Sequence, residues 1–286
     1  MKKYEVGIIG TGNIGTDLLL KILRSNTLEC VAFVGRREDS DGIRIAKEHG
    51  VNTSTLGIEY FSRNQYQAHL VFDCTDANTA IKNNEVFYPA GIRVIDMTPA
   101  KIGPMCVPII NGHIIKSNQN VNMVTCGGQT SIPILNLISK CCNKIDYIEI
   151  VSQIASKSAG MATRGNIDQY IHTTEAAIKK FTGCNTCKVI LNINPADPCV
   201  DMQTTMFIKS DEIDFNKLQE QLNAQINKIR AYVPNYEMVM MPIINDDGIL
   251  ILSIRVRGVG DYLPSYAGNL DIINCAAIEV ANLFLT

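Results

Sequence analysis

Near its start the chain reads Gly10-Thr11-Gly12-Asn13-Ile14-Gly15, and that spacing of glycines limits the fold more tightly than anything after it. The motif stands between a run that reads as a strand, EVGII, and one that reads as a helix, GTDLLLKIL. In such a setting Gly10 permits a tight turn, Gly12 lets the backbone approach a pyrophosphate, and Gly15 lets helix and strand pack closely. The helix N-terminus then offers free N–H groups and a partial positive charge to phosphate. A glycine turn needed only for packing is the plainer alternative.

The same alternation continues with ECVAFVG, an amphipathic DGIRIAKEHG, HLVFDCT, a helix-like ANTAIKNNEVFYPAG, IRVIDMT, and VNMVTCGGQ followed by IPILNLISKCCN. Strands nearly continuous in Val, Ile and Phe suit a parallel sheet covered by helices on both faces. After about residue 144 the strands lengthen and alternate (YIEIVSQIAS, KVILNINP, MQTTMFIKS, ILILSIRVRG), with helices near 166–181 and 214–231. The expected fold is therefore α/β: a Rossmann-type doubly wound parallel sheet, with a second α+β domain built on a mostly antiparallel sheet. The expected division is 1–130 plus 266–286 for dinucleotide binding and 131–265 for catalysis and dimerisation. In it a final helix, DIINCAAIEVANLF, packs back onto the first domain.

Composition removes several function classes. The 26 Lys and Arg against 28 Asp and Glu, without a basic block, give no electrostatic footprint for nucleic acid. Apolar runs are broken well short of the roughly 18 residues that span a bilayer. The 10 cysteines are scattered behind a start without a secretory pattern, which reads as reduced thiols in a cytoplasmic protein. Cys184 and Cys187 have redox-motif spacing without a thioredoxin-like setting, and no Cys/His pairs sit at metal-ligand spacing, so no metal is expected.

Where an NAD-binding fold usually carries a ribose-binding acid, this chain has Val34-Gly35-Arg36-Arg37-Glu38-Asp39. Guanidiniums match phosphate geometry, so Arg36 and Arg37 lean the reading from NAD toward NADP and its 2′-phosphate. Glu38 or Asp39 on the ribose is the alternative. Among the cysteines, Cys126 follows VNMVT and precedes Gly127-Gly128-Gln129, with a helix expected from Thr130 to Lys140. That puts the sulfur at the C-terminal edge of a parallel sheet, beside a helix N-terminus expected to lower its pKa. A thiolate there is an activated nucleophile, and the two glycines would free N–H groups for an oxyanion. Packing at a strand end is the competing reading. His172, in DQYIHTTEAAI, is the one histidine placed for acid/base work, although a helix-surface role is commoner; His49, His69 and His113 are given none.

Taken together these stretches resemble the acylating acetaldehyde dehydrogenases, bacterial enzymes that couple aldehyde oxidation to coenzyme A and often pair with a 4-hydroxy-2-oxovalerate aldolase. The likeness runs through GTGNIGTDL at 10–18, SDG at 40–42, GIRVIDMTPAKIGPMCVP at 91–108, VNMVTCGGQ at 121–129, SKSAGMATRGNID at 156–168, NPADP at 194–198 and YLPSYAGNLDI at 262–272. It implies that Cys126 carries an acyl thioester. It implies further that Thr11, Gly12, Asn13, Ile14, Ser158, Ala159, Gly160, Met161, Ala162, Thr163, Arg164, Gly165, Asn166 and Asn269 line the cofactor site of a homodimer or larger homo-oligomer. The chain departs from the family at Thr204 (usually Asp), at Met161-Ala162 (usually Pro-Gly), at Arg36-Arg37 (usually Ile-Asp), and in a shortened 241–250 that bears on aldolase docking. His172 matches no catalytic residue of the family. Two other functions fit the same residues: a reductase of another acyl thioester, on CoA or a carrier protein, and a dinucleotide-binding subunit without activity, which the intact CGGQ opposes and Thr204 favours.

Overall fold

Hydrophobic continuity makes the first sheet. The computed structural model describes residues 3–62 and 70–285, so His69 lies outside the described residues. Strands β1 (Tyr4–Ile9), β2 (Leu28–Val34), β3 (Thr53–Ser54), β4 (Leu70–Asp73), β5 (Arg93–Asp96) and β6 (Asn120–Asn122) lie in the order β3-β2-β1-β4-β5-β6, every pair parallel. This is the strand order of a doubly wound dinucleotide fold. β4 is buried at every position, as a strand covered on both faces must be.

Helices α1 (Asn13–Leu23), α2 (Asp41–Glu48), α3 (Glu59–Ser62), α4 (Ala77–Phe87) and α5 (Pro108–Asn111) connect these strands. The side chain of Ser40 caps α2 and that of Asp76 caps α4, each accepting a backbone N–H of the first turn. At the ends of β4 and β5, Asp73 and Asp96 are register partners and both are buried. Burial, reinforced by the neighbouring Asp73 charge, pushes Asp96 up to about 7 against the hydrogen bonds from Thr98 and Asn122 that favour its ionised form.

The second sheet holds β7 (Ile145–Ala155), β8 (Cys187–Asn194), β9 (Met202–Ser210), β10 (Tyr236–Ile244) and β11 (Ile249–Val256), in the order β10-β11-β9-β7-β8. All its pairs are antiparallel except β7 with β8. Strand β10 was not among the expected strands: its sequence, YEMVMMPII, is apolar on both sides and contains Pro242, which masks the alternation that marks its neighbours. The hairpin to β11 closes tightly over Asn245–Gly248, with the Asn245 side chain accepting from the N–H groups of Asp247 and Ile249. The short 241–250 segment is thus the end of β10, a complete four-residue turn and the start of β11.

Helices α6 (Cys126–Ser139), α8 (Ile167–Thr182) and α9 (Phe215–Arg230) belong with this sheet, whereas the short α7 (Met161–Gly165) does not. One compact unit comprises 1–123, 160–166 and 276–286; the other comprises 124–159 and 167–275. The break therefore falls before Cys126 rather than at 130, because α6 packs against α8 and α9, and the segment 160–166 returns to the first unit. The last helix, α10 (Gly268–Leu285), is divided between the units at Ala276. Its second half lies in the first unit, where Phe284 stacks edge-on against Tyr4 and lies under Arg93. By length and hydropathy α10 is apolar enough to cross a membrane, contrary to the expectation that every apolar run falls short. However, 61% of it is buried inside the protein, the signature of a core helix.

Candidate active site

In the first unit the three fingerprint glycines divide by role. Gly10 has φ +105, and a Cβ there would stand 2.5 Å from the Cys74 carbonyl. A Cβ on Gly15 would fall inside the Gly10 carbonyl. Neither can carry a side chain without moving backbone. Gly12 is different, since nothing lies within 4 Å of where its Cβ would be, and no side chain caps α1 at this N-terminus. Open space over an uncapped helix start fits a bound pyrophosphate.

Around this turn, Thr11 hydrogen-bonds with Ser40 at 3.1 Å, and Gly160 approaches Asn13, a Cβ on the glycine standing 3.4 Å from its amide nitrogen. Gly160, Met161, Ala162, Thr163, Arg164, Gly165 and Asn166 thus share a unit with the fingerprint; the Asn166 amide donates to the Ala162 carbonyl at 2.6 Å, and Met161 is 88% exposed. At the end of β2 the charges sort themselves. Arg37 is held by Asp39 at 3.0 and 3.1 Å, and Glu38 is paired with Lys47, while Arg36 is exposed.

In the second unit lie Cys126, Ser158, Ala159 and Asn269. Ser158 donates to the Ala155 carbonyl at 2.9 Å, and Asn269 is buried with no hydrogen-bond partner for its side-chain oxygen among the described residues, an acceptor suited to a ligand. The turn before Cys126 is strained: Val124, β-branched, has φ +64. Thr125 then caps α6 by accepting the Gly128 N–H at 2.9 Å, and it hydrogen-bonds with Thr174 at 2.8 Å.

These contacts correct three expectations. The helix begins at Cys126 itself, not at Thr130, because the cap residue is Thr125. The Gly128 N–H is already taken by the cap and is not free for an oxyanion. The glycines answer to packing instead, since a Cβ on Gly127 would collide with the Tyr170 hydroxyl and one on Gly128 would stand 2.6 Å from Val124. Finally, half-buried Cys126 is not acidified. Burial of its sulfur pushes the thiol up to about 11, outweighing Tyr170 and the N–H groups of Gly127 and Cys126 that favour the thiolate.

Sequence reading missed Tyr170. Its hydroxyl is buried beside Cys126, Ser152 and Gly127, and Ser152 in turn hydrogen-bonds with Thr204 at 2.9 Å. The signal was present in the helical stripe Tyr170, Thr173, Thr174, Ala177 and Ile178, all buried, a stripe that leaves His172 exposed. All ten cysteines are free, Cys184 and Cys187 included. No cluster of three or more His, Cys, Asp or Glu suited to a metal occurs among the described residues.

Comparison with known proteins gives a consistent picture. Residues 5–118 match the family model of the semialdehyde dehydrogenase NAD binding domain, and residues 126–264 match that of the prokaryotic acetaldehyde dehydrogenase dimerisation domain. An acetaldehyde dehydrogenase of Spirochaeta aurantia is 54% identical over 280 residues, covering 98% of this chain and 94% of the relative. One from Pectobacterium atrosepticum is 48% identical over 284 residues, covering 99% and 96%. Among solved structures, aspartate semialdehyde dehydrogenase II of Vibrio cholerae, complexed with ASA, superposes with a TM-score of 0.65 at 13% identity, covering 99% of each chain. Aspartate semialdehyde dehydrogenase of Candida albicans with NADP gives 0.66 at 12% identity, covering 99% of this chain and 100% of the other. The two structures share the fold.

Proposed function

The chain belongs to the prokaryotic acetaldehyde dehydrogenase family, and on that premise we propose that Cys126 is the nucleophile through which it interconverts acetaldehyde plus CoA and acetyl-CoA. The observation that carries this reading is the place of Cys126 as the first residue of α6, directly after the strained Val124 and the Thr125 cap. Its thiolate adds to the aldehyde carbonyl, the carbonyl electron pair moving to oxygen. A bound nicotinamide dinucleotide supplies a two-electron acceptor for the hydride that then leaves this carbon. Cys126 holds the resulting acyl group as a thioester until the thiol of CoA displaces it, which splits one difficult step into two easier ones. A nicotinamide-absorbance assay with acetyl-CoA and the reduced cofactor tests the reading directly.

The open space at Gly12, the loop Gly160–Asn166 and the unpartnered Asn269 oxygen support the cofactor contacts. For the choice of cofactor we favour NADP. Both acids at the end of β2 are neutralised by their own cations, and Arg36 is left exposed for a 2′-phosphate. Replacing Arg36 with Ala should then raise KM for NADPH about tenfold or more, the cost of one charge-assisted hydrogen bond, and barely change KM for NADH. Equal effects on the two cofactors would exclude a 2′-phosphate contact at Arg36.

A dimerisation domain implies a homo-oligomer, and the five-stranded sheet suggests its surface. Helices cover one face of that sheet. On the other, Ile243, Ile251 and Phe207 form a row across β10, β11 and β9 by register, with Ile243 exposed and the other two half-buried. Contiguous apolar surface of this kind marks an interface. Phe207→Asp should convert the oligomer to monomers in sedimentation velocity, and an unchanged sedimentation coefficient would move the interface elsewhere. The closed 245–248 turn gives an aldolase partner no extended loop to grip. Ten free thiols fit a reducing compartment, and the cytoplasm is the location we assign.

A further inference from the structure

We propose that Tyr170 is a catalytic residue: its phenol, backed by the hydroxyls of Ser152 and Thr204, donates a hydrogen bond to the Cys126 sulfur and holds it as the thiolate that attacks the carbonyl. The inference rests on Cys126 being the nucleophile.

Three hydroxyls lead inward from the sulfur. Ser152 on β7 and Thr204 on β9 are register partners across an antiparallel pair. Both are fully buried, and their hydroxyls stand 2.9 Å apart. Tyr170 comes down on them from α8, 6% exposed. Its hydroxyl faces Ser152, the Gly127 N–H and Cys126, and comes so close to the Gly127 Cα that residue 127 has no room for a side chain. At rest it completes a full hydrogen bond with none of them. A buried hydroxyl left in that state is costly unless some stage of function satisfies it.

The sulfur has little other help. Among the described residues the groups acting on Cys126 are the phenol and the N–H groups of Gly127 and Cys126 itself, with no carboxylate, histidine or cation. A phenol is far more acidic than the hydroxyl of Ser or Thr, which makes Tyr170 the best donor of the three to a sulfur anion. The balance is simple. The proton of Cys126 goes to solvent, Tyr170 keeps its own and shares it with the thiolate, and the sulfur's electron pair forms the new C–S bond. The hydrogen bond is given up in the thioester and remade when CoA displaces Cys126. Ser152, held by Thr204, is a positioning residue that aims the phenol.

The test is the rate at which iodoacetamide alkylates Cys126, read by mass spectrometry of its peptide, with turnover measured alongside. In Tyr170→Phe, which keeps the ring and its packing, alkylation below the thiol midpoint should be about tenfold slower at each pH, equivalent to one unit of pKa. The kcat for acetyl-CoA reduction should fall about as much with KM nearly unchanged. Ser152→Ala, which leaves the phenol in place but unaimed, should shift both in the same direction by less. A folded Tyr170→Phe with wild-type alkylation and kcat overturns the role of Tyr170. Full turnover in Cys126→Ala would instead overturn the nucleophile assignment beneath it, and the two failures cannot be confused.

Discussion

Cys126→Ala is expected to abolish reduction of acetyl-CoA, lowering kcat by about 10^4-fold or more, since removing the group proposed to form the covalent bond leaves binding and positioning alone. The side chain is small and half-buried, so the melting temperature should move little and the variant should still bind the dinucleotide. The pH profile gives a second check. With the thiol pushed up to about 11, the thiolate fraction of the free enzyme grows about tenfold per pH unit through the neutral range. Because kcat/KM reports the ionisation of free enzyme, it should climb with pH between about 7 and 10. A plateau already reached at pH 8 would mean that Cys126 is acidified by a group other than those around it here. Retained turnover in the alanine variant would transfer the chemistry to another residue altogether.

Gly15→Ala and Gly12→Ala should part company, although both alter the same motif. The methyl at 15 has to enter the space of the Gly10 carbonyl, and since backbone cannot yield as a side chain can, the expected loss of stability is about 3 kcal/mol. At position 12 the methyl meets nothing within 4 Å. Ala is a poorer helix N-cap than Gly, so the melting temperature should fall only by the equivalent of about 1 kcal/mol or less. Yet dinucleotide affinity should drop at least tenfold, because the methyl occupies the space over α1 where a pyrophosphate would lie. Denaturant titration and fluorescence titration with NADPH measure the two quantities separately. Equal affinity in Gly12→Ala and wild type would show that the space above Gly12 is not where the phosphates sit.

How legible this was in the sequence depended on whether a residue's partner was close in the chain. The doubly wound parallel character of the first sheet followed from the fingerprint and from near-continuous Val, Ile and Phe, because a strand buried on both faces declares itself locally. Strand β10 was not recognised, since Met, Pro and Ile on both sides leave no alternation to read. At the proposed nucleophile, the sequence singled out Cys126 but not its surroundings. The cap by Thr125 moves the helix start by four residues, and the burial that raises the thiol comes from α8 and the sheet, distant in sequence. Tyr170 and Ser152 are brought to Gly127 by the packing of α6 with α8 and the sheet, which no short motif encodes. Thr204 stood out only as a departure from a family pattern; its partner Ser152 came from strand register.

The way the chain threads its two units bears on the order in which they can be finished. The first unit is written in three pieces, and its last piece, 276–286, follows the entire second unit. On a ribosome, where domains ordinarily fold as they emerge and the amino-terminal one comes first, the parallel sheet of this protein is made early. Yet the half-helix that stacks Phe284 on Tyr4 and Arg93 arrives late. At about 5–20 residues per second the interval is roughly ten to thirty seconds. For that time Tyr4 and Arg93 lack the Phe284 ring that packs on them in the finished protein, and the unit begun first is the one completed last.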